Sequence, residues 1–155
     1  MKIIVLAGGL STERDVSLSS AAGICRTLVE KGHDAFLLDV FMGLENAPEN
    51  LEDVFTLPDH GLEIVKNIST EEPDLEAVKA SRPDQSDCFF GPNVIELCRL
   101  ADITFLGLHG GEGENGKLQA SFDLLDIKYT GPDSLGCAVA MHKGVAKQIF
   151  LESGV

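Results

Sequence analysis

Gly107-Leu108-His109-Gly110-Gly111-Glu112-Gly113-Glu114-Asn115-Gly116-Lys117-Leu118-Gln119 is the stretch whose reading decides the fold. It continues a mostly apolar segment of strand length, Ile103 to Leu108, into four glycines at 110, 111, 113 and 116. From about Lys117 the apolar residues Leu118, Phe122 and Leu125 recur at helical spacing. A strand, a bare-backbone loop and a helix N-terminus together form a binding site of fixed geometry, because unpaired N–H groups of the first turn point at what the loop holds. His109, Glu112 and Glu114 stand at its mouth.

The start of the chain repeats the pattern. Ile3 to Ala7 is a continuous apolar run, as expected for a strand buried on both faces. Leu18, Ala21, Ala22, Cys25, Leu28 and Val29 then share one helical face, with Lys31 and Gly32 as stop signals. Ala35 to Val40 reads as a second strand. Strand, helix, strand in this compass is a βαβ unit, which implies a parallel sheet. Ligands of open parallel sheets bind beyond the carboxyl ends of the strands. The loop Gly8-Gly9-Leu10-Ser11-Thr12-Glu13 therefore opens on the same edge as His109 to Gly116.

Residues 41–93 break the rhythm. They hold five of the six prolines, with 12 acidic side chains against 3 basic ones, so −9 of the net −13 lies there. Val54 to Leu57 and Glu63 to Ile68 read as short strands, a hairpin at the sheet's margin, and 72–88 reads as loop. Asn93 is the expected N-cap of the next helix, with Glu96 completing a capping box. Ile127 to Thr130 is a further strand, and Ser134 or Asp133 caps a short helix near 135–141. A last helix runs from about His142 to Glu152. The expected fold is α/β, an open, mainly parallel sheet of about four strands flanked by helices, Rossmann-like, with an acidic Pro-rich insertion at about 41–93.

Composition excludes several functions. A net charge of −13 argues against nucleic acid and against an anionic membrane surface as partners. No apolar run approaches membrane-spanning length. The four cysteines form no Cys-x-x-Cys and no Cys/His cluster of zinc spacing, which suits a reducing cytoplasm and leaves no metal ligand set. Gly111-x-Gly113-x-x-Gly116 matches a dinucleotide fingerprint formally, but it follows a late strand and carries two carboxylates that repel a pyrophosphate. No Walker-type loop occurs. Read alone, Glu13 is either a partner for the helix dipole or a ligand for an ammonium group. His109 is either a structural hydrogen-bonding residue or one that meets substrate. Lys143 and Lys147, one turn apart, read as a solvated face.

Three segments together resemble the signatures of D-alanine–D-alanine ligases of the ATP-grasp class. They are Ala7 to Leu18, Leu108 to Gln119, and Tyr129-Thr130-Gly131 followed by Ala138 to Lys143. The resemblance implies a substrate-side, pre-ATP-grasp domain over 1–138, and the start of the ATP-binding region at 139–155. It implies ATP-dependent formation of D-alanyl-D-alanine through an acyl phosphate, for peptidoglycan synthesis, in a cytoplasmic enzyme that is commonly a homodimer. By the same resemblance Glu13 is the catalytic carboxylate that orients the ammonium of the first D-alanine. Val16 lines that pocket, Ser17 helps fix the loop, and His109 with Gly110 meets the first substrate near its carboxylate. Lys143 reaches toward the ATP phosphates. ATP and Mg (or Mn) belong to the complete enzyme, and this chain alone is expected to bind neither and to be inactive. Asn115 and His142 stand where the family usually has Asp. Two alternatives stay open: a stand-alone small amino-acid binding module, and a ligase making D-alanyl-D-lactate or D-alanyl-D-serine.

Overall fold

The computed structural model describes residues 1–66 and 72–155. Three parallel strands, β1 (Lys2–Ala7), β2 (Asp34–Asp39) and β3 (Ile103–Leu106), form a sheet in the order β2-β1-β3. Ile4 of β1 pairs with Phe36 and with Thr104. The central strand is apolar throughout because it feeds two cores. Ile4 and Leu6 pack into one with Phe36, Leu97, Leu118 and Phe122, while Ile3, Val5 and Ala7 pack into the other with Leu18, Ala21 and Cys25. Alternate side chains of a strand point to opposite faces, so both faces need covering. Helix α1 (Arg14–Glu30) covers the second face. The later helices α3 (Val94–Leu100) and α5 (Lys117–Leu124) cover the first.

The expected fourth strand is present only as one parallel bridge, Thr104 to Tyr129. Thr104 donates to Lys128 O at 2.8 Å and accepts from Thr130 N–H at 3.0 Å. The ladder then stops, because Leu106 N–H is taken by the Thr130 hydroxyl at 3.2 Å and Gly131-Pro132 turns the chain away.

The segment after β2 differs most from its expectation. Leu51–Thr56 and Leu62–Val65 are short 3-10 helices rather than strands of a hairpin. Positions 67 and 68 of the expected second strand lie outside the described residues. The sheet margin is closed by a loop instead: Leu37 N–H donates to His60 O at 2.9 Å, and His60 Nδ1 lies 3.1 Å from Ala35 O. Val54 and Phe55 are still buried, but from a 3-10 turn. The expected loop at 72–88 contains a helix, α2 (Leu75–Ser81), which Asp74 caps by accepting from the N–H groups of Glu76 and Ala77. Asn93 is at the N-cap position of α3, but with φ 63° and no capping hydrogen bond. Its amide donates to Leu44 O at 2.8 Å, so the capping box is replaced by a tertiary contact.

Short α4 (Gly111–Glu114) interrupts the Gly-rich loop, and α6 (Ser134–Met141) and α7 (Lys143–Glu152) close the chain. Asp133 caps α6 through Gly136 N–H at 2.7 Å. Among the described residues no helix is long and apolar enough to cross a membrane.

All four cysteines are free thiols, and their environments separate them. Burial pushes the Cys25 thiol up to about 11 and the Cys98 thiol up to about 12, whereas Cys88 is exposed. The thiolate is the reactive species. At pH 8 a maleimide is therefore expected to label Cys88 first, with Cys25 and Cys98 reacting only after unfolding. Peptide mapping of the native, partly labelled chain checks this, and early labelling of Cys25 would overturn it.

Candidate active site

The carboxyl ends of β1 and β3 are neighbours in the sheet, so the loops that leave them share one edge. Two hydroxyls sew the loops together. Ser17, fully buried on the first turn of α1, accepts from Gly8 N–H at 2.9 Å and donates to Gly107 O at 2.8 Å. Nearer the mouth, Ser11 Oγ donates to His109 O at 2.7 Å and accepts from Glu13 N–H at 3.3 Å. The buried backbone groups at the deeper junction, Gly8 N–H and Gly107 O, are thereby satisfied by one side chain of α1.

A buried ion pair fixes the first turn from below. Arg14 and Asp39, 8% and 3% exposed, are in direct contact. Arg14 Nη1 also donates to Gly9 O at 2.8 Å, and Asp39 Oδ1 accepts from Phe41 N–H at 2.9 Å and Met42 N–H at 3.2 Å. The pair thus joins the Gly8-Gly9 turn to the end of β2. Gly8 is required there: its φ is 72°, and a Cβ would stand 2.7 Å from the Asp39 carboxylate. The sequence reading missed both partners. No spacing rule links Arg14 to Asp39.

Above this clamp the site residues gather. Glu13 occupies the N-cap position of α1 without a capping hydrogen bond from its side chain. Its carboxylate lies instead over Gly110, where a Cβ would meet Glu13 Oε2 at 2.7 Å. Val16 is 61% exposed on the outer face of α1. The His109 ring sits between α1 and the Gly-rich loop, with Nε2 3.2 Å from Ser20 Oγ and Nδ1 3.9 Å from Glu114 Oε1. Ser20 is a further neighbour that the sequence reading did not single out. Glu112 is paired with Lys117 at 3.1 Å. A carboxylate and an imidazole thus stand together where the two loops meet. A carboxylate in such a position has the charge to pair with an ammonium group.

Lys143 stands apart, exposed on the first turn of α7, a helix that packs on α6. Beside the mouth, a groove of about 340 Å³ runs between Leu106, Leu108, Glu114, Pro132, Cys137 and Met141. Among the described residues no three His, Cys, Asp or Glu side chains cluster so as to hold a metal ion. These residues therefore do not fit a Mg (or Mn) ion.

Fold and loop geometry define an open-sheet α/β domain whose two glycine-bearing loops meet at the carboxyl edge of parallel strands. The family model described as "D-ala D-ala ligase N-terminus" matches residues 2–132. The chain belongs to this family, the N-terminal domain of D-alanine–D-alanine ligases. A D-alanine–D-alanine ligase of Lacticaseibacillus casei (strain BL23) is 44% identical over 155 residues, which is all of this chain and 43% of that protein. A D-alanine–D-alanine ligase of Pediococcus pentosaceus is 48% identical, again over all of this chain and 44% of its own length. The chain thus spans less than half the length of these relatives. The solved structure of the D-alanine–D-alanine ligase from Coxiella burnetii matches at a TM-score of 0.59 and 25% identity, covering the whole chain and 42% of that structure. The Bacillus anthracis ligase complexed with ATP matches at 0.61 and 21% identity, covering the whole chain and 38% of that structure, a likeness of fold.

Proposed function

We propose that this chain is the substrate-side part of a cytoplasmic ligase that joins two D-alanines at the expense of ATP, through an acyl phosphate, for peptidoglycan synthesis. The observation that carries the reading is the placement of the Glu13 carboxylate over Gly110, beside His109, by two cross-stitched loops. In this reading Glu13 orients the ammonium of the first D-alanine, and Val16 lines the pocket for its methyl group. His109 and the Gly110 backbone meet its carboxylate side, and Ser17 keeps the loops in register. A carboxylate facing an ammonium gives a charge-assisted hydrogen bond and fixes the direction from which the substrate's carboxylate is presented.

ATP supplies the phosphoryl group that activates the first carboxylate, and Lys143 is the residue of this chain assigned to its phosphates. The described residues offer no ligand set for a metal, and no step is assigned to one. Residues 1–138 are assigned to the substrate-side domain and 139–155 to the start of the ATP-binding region. The outward-facing Ile149, Phe150 and Leu151 of α7 support that division, since a following domain would cover them. A homodimer belongs to the same proposal.

D-alanine-dependent ADP release is expected to be absent from the 155-residue chain and present in the full-length ligase that contains it. In that full-length enzyme Glu13→Ala is expected to lower kcat/KM for D-alanine by at least about tenfold, the scale of one lost charge-assisted hydrogen bond. Unchanged kcat and KM would remove Glu13 from the role given to it.

A further inference from the structure

We propose that Ser11 is the positioning residue that sets the spacing between Glu13 and His109, an inference that rests on the reading of those two residues as the groups that hold the first substrate. Ser17 ties the loops one level deeper, at Gly8 and Gly107. Ser11 acts at the level of the substrate-facing groups themselves. Its hydroxyl has one proton, and that proton is directed at His109 O, 2.7 Å away. A lone pair of the same oxygen receives Glu13 N–H at 3.3 Å. The Ser11 carbonyl accepts Arg14 N–H at 3.0 Å, which begins α1 immediately after Glu13. Its side chain also borders Gly110, where a Cβ would lie 3.4 Å from both Ser11 Cβ and Ser11 Oγ.

One half-buried side chain therefore bonds to the backbone of Glu13 and to the carbonyl of His109, and it borders the space beside the glycine under the Glu13 carboxylate. Glu13 and His109 lie on different loops, and Ser11 and His109 are 98 positions apart. Fixing their separation needs a group that donates to one loop while accepting from the other. A hydroxyl does both, alanine does neither, and a thiol does both weakly. The hydrogen bond to Glu13 N–H is a local serine turn, a geometry threonine also adopts. The chemistry therefore requires serine or threonine at position 11. Substrate contacts held in geometry by such hydrogen bonds lose affinity or rate when the support is removed, even where the contacting residues are intact.

The test uses the 155-residue chain labelled with 15N, in the unmodified form and as Ser11→Ala, Ser11→Cys and Ser11→Thr, without ligand and then titrated with D-alanine. Without ligand, Ser11→Ala and Ser11→Cys are expected to shift the amide resonances of Glu13 and, across the loop junction, of Gly110. Ser11→Thr is expected to return both toward the unmodified positions. With D-alanine, Ser11→Ala is expected to bind about 5–10-fold more weakly, the scale of one hydrogen bond, and Ser11→Thr to recover most of that loss. A Gly110 amide that stays unmoved in Ser11→Ala would overturn the proposal, as would a threonine variant that behaves like alanine. An unmodified chain that responds to D-alanine no more than to L-alanine counts against the reading of the site. In that case the ligand-free shift at Gly110 alone decides the role of Ser11.

Discussion

Asp39→Ala is expected to destabilise the chain by roughly 3–5 kcal/mol, the cost of leaving a buried charge without its partner. Arg14 is 8% exposed, and its guanidinium would keep only the Gly9 carbonyl. The N–H groups of Phe41 and Met42 would lose their acceptor at the same time. Asp39→Asn retains an oxygen for those two N–H groups, so it is expected to cost less than alanine. Replacing both partners, Arg14→Met with Asp39→Leu, removes the buried charge and is expected to cost less than Asp39→Ala alone. It still leaves the two N–H groups unpaired, so recovery is incomplete. Urea unfolding midpoints of the four proteins make the comparison. A loss under about 1 kcal/mol for Asp39→Ala would place the pair with ordinary surface ion pairs and remove the clamp from the account of the Gly8-Gly9 turn.

Gly110→Ala is expected to abolish the D-alanine response while the chain remains folded. Gly110 has φ 70° and ψ 175°, a region of backbone space open essentially to glycine, so alanine costs on the order of 1–3 kcal/mol in strain. The more important consequence is local. The new methyl would lie 2.7 Å from Glu13 Oε2 and 3.4 Å from the Ser11 side chain. The carboxylate is at the end of a flexible, exposed side chain, so it moves aside rather than the backbone. It thereby leaves the position given to the substrate ammonium. Titration with D-alanine, followed at the Glu13 and His109 amides, should show no saturable shift in this variant, with a cooperative unfolding transition preserved. Binding equal to that of the unmodified chain would mean that the carboxylate's position over Gly110 has no part in substrate recognition.

Much of this arrangement was legible in the sequence. The apolar run of β1, the helical face from Leu18 to Cys25 and the glycines after β3 are short-range patterns, each set by the geometry of one element. They gave the parallel βαβ unit and put Glu13 and His109 on the same edge. The segment after β2 was misread for the same reason that β1 was read correctly. Val54, Phe55 and Leu57 have the apolar composition of a short strand, but the outer edge of β2 is already occupied by His60, and no ladder was open to them. Asn93 and Glu96 have capping-box spacing, yet the Asn93 amide finds Leu44 O instead. Propensity is a weak prior wherever a tertiary partner competes for the same group.

The sequence by itself determined the class of fold, the two glycine-bearing loops, the edge on which they meet and the family that shares them, because periodicity and turn chemistry act over a few residues. The tertiary structure alone decided that Arg14 meets Asp39, that Ser11 and Ser17 stitch the first loop to the second, and that Ser20 stands beside the His109 ring. It also reduced the fourth strand to one bridge. These contacts join positions up to 98 apart in the chain. Their partners are selected by which donors and acceptors are left unpaired once the sheet has formed, a condition that no local spacing records.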